Sequence, residues 1–229
     1  MSLRAIALAS SMIFVAACGG SSSSSLDINS APGQLAAALC ARIQACCAGA
    51  SGVPSQSACV SVYTGRLSAS ISSESAGGHA SYNASNAGNC LNEINAATCG
   101  DLQANAGIPA CLKIVVGTQS NGATCAHGYE CSSMLCAGSG VCTAPAAQGQ
   151  PCPSGSVVDG YLCASGSYAA AQNSSGNACV CAALLSNGTA CDNSEYCASG
   201  YCDYNGTNIC SAVPVESTIP PMVCQQQFG

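Results

Sequence analysis

The chain has 229 residues, 21 of them cysteine, with four basic against ten acidic side chains and a formal net charge of −6. With Lys113 as its one lysine it offers no cationic surface to a phosphate backbone, which excludes nucleic-acid binding. From Cys18 onward Leu, Ile, Val and Phe make up 32 of 212 residues, below the roughly 20% at which an apolar core normally offsets chain entropy, so the stability has to come from the cysteines.

Residues 1–17 read as a signal. Met1 to Arg4 carries one positive charge, and Ala5 to Ala17 is an apolar run too short to remain as a membrane-spanning helix. The run ends Phe14-Val15-Ala16-Ala17-Cys18, which resembles the lipobox of bacterial lipoprotein precursors: an aliphatic residue, small residues, then cysteine. That resemblance implies cleavage before Cys18, acylation of its thiol and its new amine, and a membrane partner reached through the lipid. The alternative is an ordinary signal with an incidental cysteine. Residues 18–30 begin Gly19-Gly20 and continue with five serines, Ser21 to Ser25. This is the composition of a flexible tether, with a reach of about 5–6 Å × √n. Gly19 is not acidic, which by analogy with enteric lipoproteins points to the outer membrane of a bacterial envelope. Without Cys18 the cysteines number twenty, enough for ten bridges, and bridges persist outside the reducing cytosol.

Residues 31–117 read as a helical, cysteine-rich domain. Pro32 suits a first helical turn, and Leu35, Leu39, Ile43 and Cys47 recur at fours with Cys40 and Cys46 beside them. Ser55 is a plausible N-cap for a second helix carrying Cys59, Tyr63, Leu67 and Ile71. A third is expected from about Ala84 through Ala87, Cys90, Leu91, Ile94 and Thr98, stopping at Gly100 beside Cys99. A shorter fourth is expected after Pro109, with Cys111, Leu112 and Val115. The stripes are narrow and rich in alanine, so bridges between helices are expected to be essential.

Residues 118–212 divide into three repeats, 122–148, 149–187 and 188–212, before a tail over 213–229. The first runs Gly122-Ala-Thr-Cys125, Cys131, Cys136, Cys142, and the third Gly188-Thr-Ala-Cys191, Cys197, Cys202, Cys210. The second opens Gly149-Gln-Pro-Cys152 and matches the third at Cys163-Ala-Ser-Gly. It has Ser167-Tyr168 where the third cysteine is due and ends Cys179-Val-Cys181. These units resemble cysteine repeats of the Dickkopf N-terminal type and, more loosely, the first four cysteines of EGF-like modules. The plan as a whole resembles cysteine-rich bacterial lipoproteins of the myxobacterial type, a likeness that implies a small disulfide-rich scaffold, all-α and disulfide-stapled first, then loops and short strands. The EGF likeness implies first-to-third and second-to-fourth pairing in units one and three, among three possibilities each. Cys142 and Cys210 lack the cysteine that follows in EGF-like modules, and unit two is irregular, so the pairing does not transfer safely.

Counting by region adds one expectation. The repeats hold twelve cysteines, which can close among themselves, whereas the helical region holds seven: Cys40, Cys46, Cys47, Cys59, Cys90, Cys99 and Cys111. Cys224 stands alone after Pro220-Pro221 and is expected to reach back to one of the seven. If it pairs inside the repeats instead, one repeat cysteine must serve the helical region.

Chemistry-bearing motifs are few. No Cys-x-x-Cys occurs, which argues against thioredoxin-type, zinc-ribbon, ferredoxin and c-type haem sites. Cys46-Cys47 and Cys179-Val-Cys181 offer soft-metal spacing, but bridges are the better reading in an exported chain, and no cofactor or metal is expected. The two histidines, His79 and His127, read as turn residues. There is no Gly-x-Ser-x-Gly, His-Glu-x-x-His or phosphate loop. Asp192 and Glu195 read as a solvated turn, and the sequons at Asn83, Asn173, Asn187 and Asn205 as products of composition. Tyrosines 129, 161, 168, 196, 201 and 204 either cover bridges or form a contact patch for protein or glycan. The function expected is a non-enzymatic, lipid-anchored surface module for adhesion or recognition. The alternatives are an inhibitor of secreted proteases and, against the missing motifs, a lipoprotein enzyme or thiol-redox factor.

Overall fold

The computed structural model describes residues 25–103, 110–153, 162–171, 179–204, 207–213 and 224; Cys18, Tyr161 and Pro220-Pro221 lie outside them. Helix α1 (Ala31–Cys46) has Pro32 in its first turn and buries Leu35 and Ile43, with Ala36 and Cys40 widening the apolar stripe. Helix α2 (Gln56–Ala76) starts where expected: Ser55 Oγ accepts from the Ala58 N–H at 3.3 Å. Among its residues only Cys59 and Ile71 are buried. So thin a stripe cannot hold 21 residues of helix on burial alone, and the Cys40–Cys59 bridge fastens α2 to α1. Helix α3 (Ala84–Ala96) is capped by Asn83 Oδ1, which accepts from the Asn86 N–H at 2.9 Å.

Two expectations in this region are corrected. The third helix ends at Ala96, short of Thr98, because Thr98 caps a new helix, α4 (Cys99–Gln103). Its N–H and Oγ1 both donate to Asp101 Oδ2 at 2.7 Å, and the Asp101 N–H returns a bond to Oγ1 at 3.1 Å. The fourth helix is replaced by a single 3-10 turn, Cys111–Lys113, and then a strand. Strand β1 (Ala80–Tyr82) pairs antiparallel with β2 (Val115–Gly117) in the register Tyr82↔Val115 and Ala80↔Gly117. The adjacent β-branched Val115 and Val116 favour this extended pairing over a helix.

Two cores result. Leu26, Leu35, Ile71, Ala87, Ile94, Ile114 and Val115 form an aliphatic one. The other is mostly sulfur: Cys40, Cys46, Cys47, Cys59, Cys99 and Cys224 around Ile43. Its bridges are Cys40–Cys59, Cys46–Cys99 and Cys47–Cys224, while Cys90–Cys111 ties α3 to the 3-10 turn. The tail cysteine therefore returns to the helical region.

Each repeat is a hairpin crossed by two bridges. The hairpins are β3 (Cys136–Ala137) with β4 (Val141–Cys142), β5 (Ser167–Ala171) with β6 (Cys179–Ala183), and β7 (Cys202–Asp203) with β8 (Ile209–Cys210). The Gly-x-x-Cys opening has a backbone cause. Gly122, Gly149 and Gly188 take φ of +92°, +81° and +88°, a region other residues avoid. Their N–H groups donate to the carbonyls of Cys142, Cys181 and Cys210 at 2.8, 2.7 and 2.7 Å. First-to-third and second-to-fourth pairing holds in all three units: Cys125–Cys136 with Cys131–Cys142, Cys152–Cys179 with Cys163–Cys181, Cys191–Cys202 with Cys197–Cys210. In unit two the register puts Ala169 opposite Cys181, where Cys136 and Cys202 stand opposite Cys142 and Cys210. That is one residue beyond the Ser167-Tyr168 to which the spacing points. The displaced cysteine sits across the hairpin as Cys179, whose carbonyl accepts from Cys152 as Gly140 does from Cys125 and Asn208 from Cys191.

The units connect alike. Gln119, Ala146 and Leu185 each bridge in parallel to the second cysteine of their unit, Cys131, Cys163 and Cys197. The β5–β6 hairpin packs on the 3-10 turn Ser194–Tyr196 of unit three, and β2 packs on the matching turn of unit one, Gly128–Glu130. The β1–β2 strand pair of the helical region thus takes the place of a preceding repeat's hairpin.

Candidate functional site

The junction between the helical region and unit one gathers the most chemistry. On one side lies an open groove of about 310 Å³, floored by Leu67 and Ile71 of α2, Ile114, Val115 and Leu112, and closed on the repeat side by Tyr129 and Met134. Ser70 and Glu74 form its polar edge, and Ser70 donates to Glu74. Leu112 is 47% exposed, one of four large apolar side chains that stand open to solvent among the described residues.

Both histidines come to the same junction. His79 is exposed, and its Nδ1 meets the Gln119 amide; His127 is half-buried and stacks on Tyr129, ring centroids 4.9 Å apart and nearly parallel at 9°. The Glu130 carboxylate accepts from the Ala126 N–H at 2.7 Å and the His127 N–H at 3.5 Å. The Ala126 bond leads in holding its carboxyl below the ordinary range; burial opposes it, and the His127 N–H and the charges of both histidines assist. Chemically, this arrangement fastens unit one to the β1–β2 strand pair. Nothing local in the sequence pairs His79 with His127; the β1–β2 register and the Gln119–Glu130 backbone bond at 3.0 Å bring them together.

The other residues singled out fall elsewhere. Asp192 and Glu195 are exposed in unit three, with the Glu195 N–H donating to Asn193 Oδ1 at 3.0 Å, which fits a solvated turn. The tyrosines do not form one patch among the described residues. Tyr168 stacks on Tyr196 between units two and three, Tyr201 is buried, and Tyr204 is 54% exposed. Burial, with Asp192 and Glu195 nearby, pushes the Tyr196 hydroxyl above its usual range. Three sulfurs in each unit lie within 4.8 Å of one another, but all belong to bridges and offer no thiolate to a metal. Cys46, Cys47, Cys179 and Cys181 are bridged too. Among the described residues no helix is long and apolar enough to cross a membrane. Comparison of the chain with protein-family models, curated proteins and solved structures finds no match.

Proposed function

We propose that this protein is a non-enzymatic binding module of the bacterial cell envelope, anchored in the outer membrane by lipid on Cys18. One observation carries the reading: ten bridges take up twenty of the 21 cysteines, and the one outside them is Cys18, at the end of the lipobox-like run. A cysteine used for acylation is withdrawn from oxidative pairing, so the parity of the rest follows. The disulfide frame supports presentation over turnover, because it fixes loops whose ordering would otherwise oppose binding. The proposed anchor precedes the helical region by a short tether and the Cys47–Cys224 bridge returns the tail to that region, which leaves the repeats as the part held out for contact.

The test is phase partition followed by capture. The wild-type protein enters the detergent phase and Cys18→Ser stays in the aqueous phase. Crosslinking on whole envelopes then retains a surface protein or glycan. Capture of a secreted protease, with loss of its activity, would replace recognition by inhibition. Partition of Cys18→Ser with detergent would overturn the anchor.

A further inference from the structure

We infer that the groove between α2, the Cys111–Lys113 turn and unit one is a berth for one acyl chain of the lipid on Cys18, filled when the protein is off the bilayer. The inference rests on the lipidation proposed above and adds a second resting place for that lipid. Reach is the first argument. Leu26 donates from its N–H to the Ala84 carbonyl at 3.0 Å and accepts from the Tyr82 hydroxyl at 2.8 Å. Tyr82 stands opposite Val115, which lines the groove, and paired strands are separated by about 4.8 Å. Counting the length of the Tyr82 side chain, the folded end of the chain is therefore within about 15 Å of the groove. Cys18 to Ser25 span at most about 28 Å when extended, so the anchor reaches the groove without any change in the fold.

The lining is the second argument. Leu67, Ile71, Leu112, Ile114 and Met134 present hydrocarbon and a thioether, and no cation lines the groove, so it suits a neutral apolar chain rather than a phosphate headgroup. Its volume lies at the lower end of the roughly 300–1,000 Å³ of small-molecule sites. The third argument is local and independent. Three residues after the second cysteine of each unit the backbone is left-handed. Units two and three have Gly166 and Gly200 there at φ +84° and +70°, but unit one has Met134 at φ +58°. Glycine would relieve that conformation; methionine keeps instead an adaptable apolar side chain pointed at the groove. Unit one is the unit whose 3-10 turn packs on β2 of the helical region, and among the three units it is the one that carries a side chain at this position.

The experiment uses the full lipidated protein, labelled in growing cells with a fatty acid that carries a terminal diazirine. Detergent is removed, the sample is irradiated, and crosslinked peptides are mapped. The expected products are intramolecular, joining the lipid to peptides that contain Leu67 to Glu74 or Leu112 to Met134. They fall at least five-fold in Leu112→Glu, an exposed position that the fold tolerates, and in Met134→Gly, which relaxes the backbone. In vesicles of phosphatidylethanolamine and phosphatidylglycerol the crosslinks move to phospholipid. Crosslinks that fall elsewhere on the chain, join two copies, or persist unchanged in both variants overturn the inference and leave the anchor standing. Failure of the probe to enter the wild-type protein overturns both.

Discussion

Glu130 is the residue whose charge matters most to the junction. Its carboxylate faces the backbone N–H groups of Ala126 and His127 and lies within the field of His79 and His127. A carboxyl held below its ordinary range contributes stability that is present above the unfolded pKa and is lost as pH falls through the folded one. Protonation also turns the charged acceptor of the Ala126 N–H into a weaker, neutral one, so the hydrogen bond and the charge act in the same direction. Amide exchange at Ala126 and His127 should therefore speed up as pH drops from about 5 to 3, once the intrinsic pH dependence of exchange is removed. Glu130→Gln keeps an acceptor without the charge and should flatten that profile. A profile unchanged by the substitution would mean that the carboxylate does not hold this turn. The group is solvent-facing, so salt should weaken the effect.

At the scale of elements, the contact of a strand pair with the following unit's 3-10 turn occurs at β2 and at β5, and at Gly117 it is tight. A Cβ there would lie 2.4 Å from the backbone N, C and O of Cys131. Backbone cannot yield as a side-chain tip does, so Gly117→Ala should separate β2 from the Gly128–Glu130 turn and cost about 1–3 kcal/mol. A lower urea midpoint with all ten bridges intact is the expected result, and a wild-type midpoint would show the contact to be slack. This glycine illustrates what local reading misses. Helices α1 and α2 were legible from Pro32, Ser55 and apolar residues at fours, and the repeats from Gly-x-x-Cys, because those signals sit within a few residues of the structure they create. Strands β1 and β2 are three residues each, with partners 33 to 37 positions apart; neither is long enough to show alternation, and Val115 continued a helical spacing by chance. The displaced cysteine of unit two was visible, but its compensation was not, since Cys179 replaces the missing partner across a hairpin rather than along the chain. The third unit differs from the first two at the position that links a unit to the next one. Four residues after the last cysteine of units one and two stand Ala146 and Leu185, whose N–H groups donate to Leu162 and Tyr196. Four after Cys210 stands Pro214, which has no N–H to offer a further unit.

For the whole molecule, the decisive connection is Cys47–Cys224, with a sequence separation of 177 residues. It encloses every repeat, and its sulfurs lie in the cluster of Cys40, Cys46, Cys59 and Cys99 around Ile43. A chain of so little aliphatic content cannot close such a loop by burial. In the chain-entropy account a loop this long restricts the unfolded state by about 5 kcal/mol, and shortcuts through the nested bridges reduce that only slightly, because the dependence is logarithmic. Cys224→Ser would leave an odd thiol at Cys47, so the informative variant is Cys47→Ser with Cys224→Ser. The double variant should keep the hairpins, whose bridges are all internal to their units, and lose about 4–5 kcal/mol from the unfolding of the helical region. Two probes separate these outcomes. Far-UV helix signal should melt earlier, while tyrosine near-UV signal from the Tyr168–Tyr196 stack, which belongs to units two and three, should melt where it did before. If both signals shift together, the repeats and the helical region unfold as one body, and the tail bridge stabilises the whole chain rather than the domain that holds it. If neither shifts, the tail is held to the helical region by contacts other than the bridge, and the apolar packing of this sulfur-rich core is stronger than its composition implies.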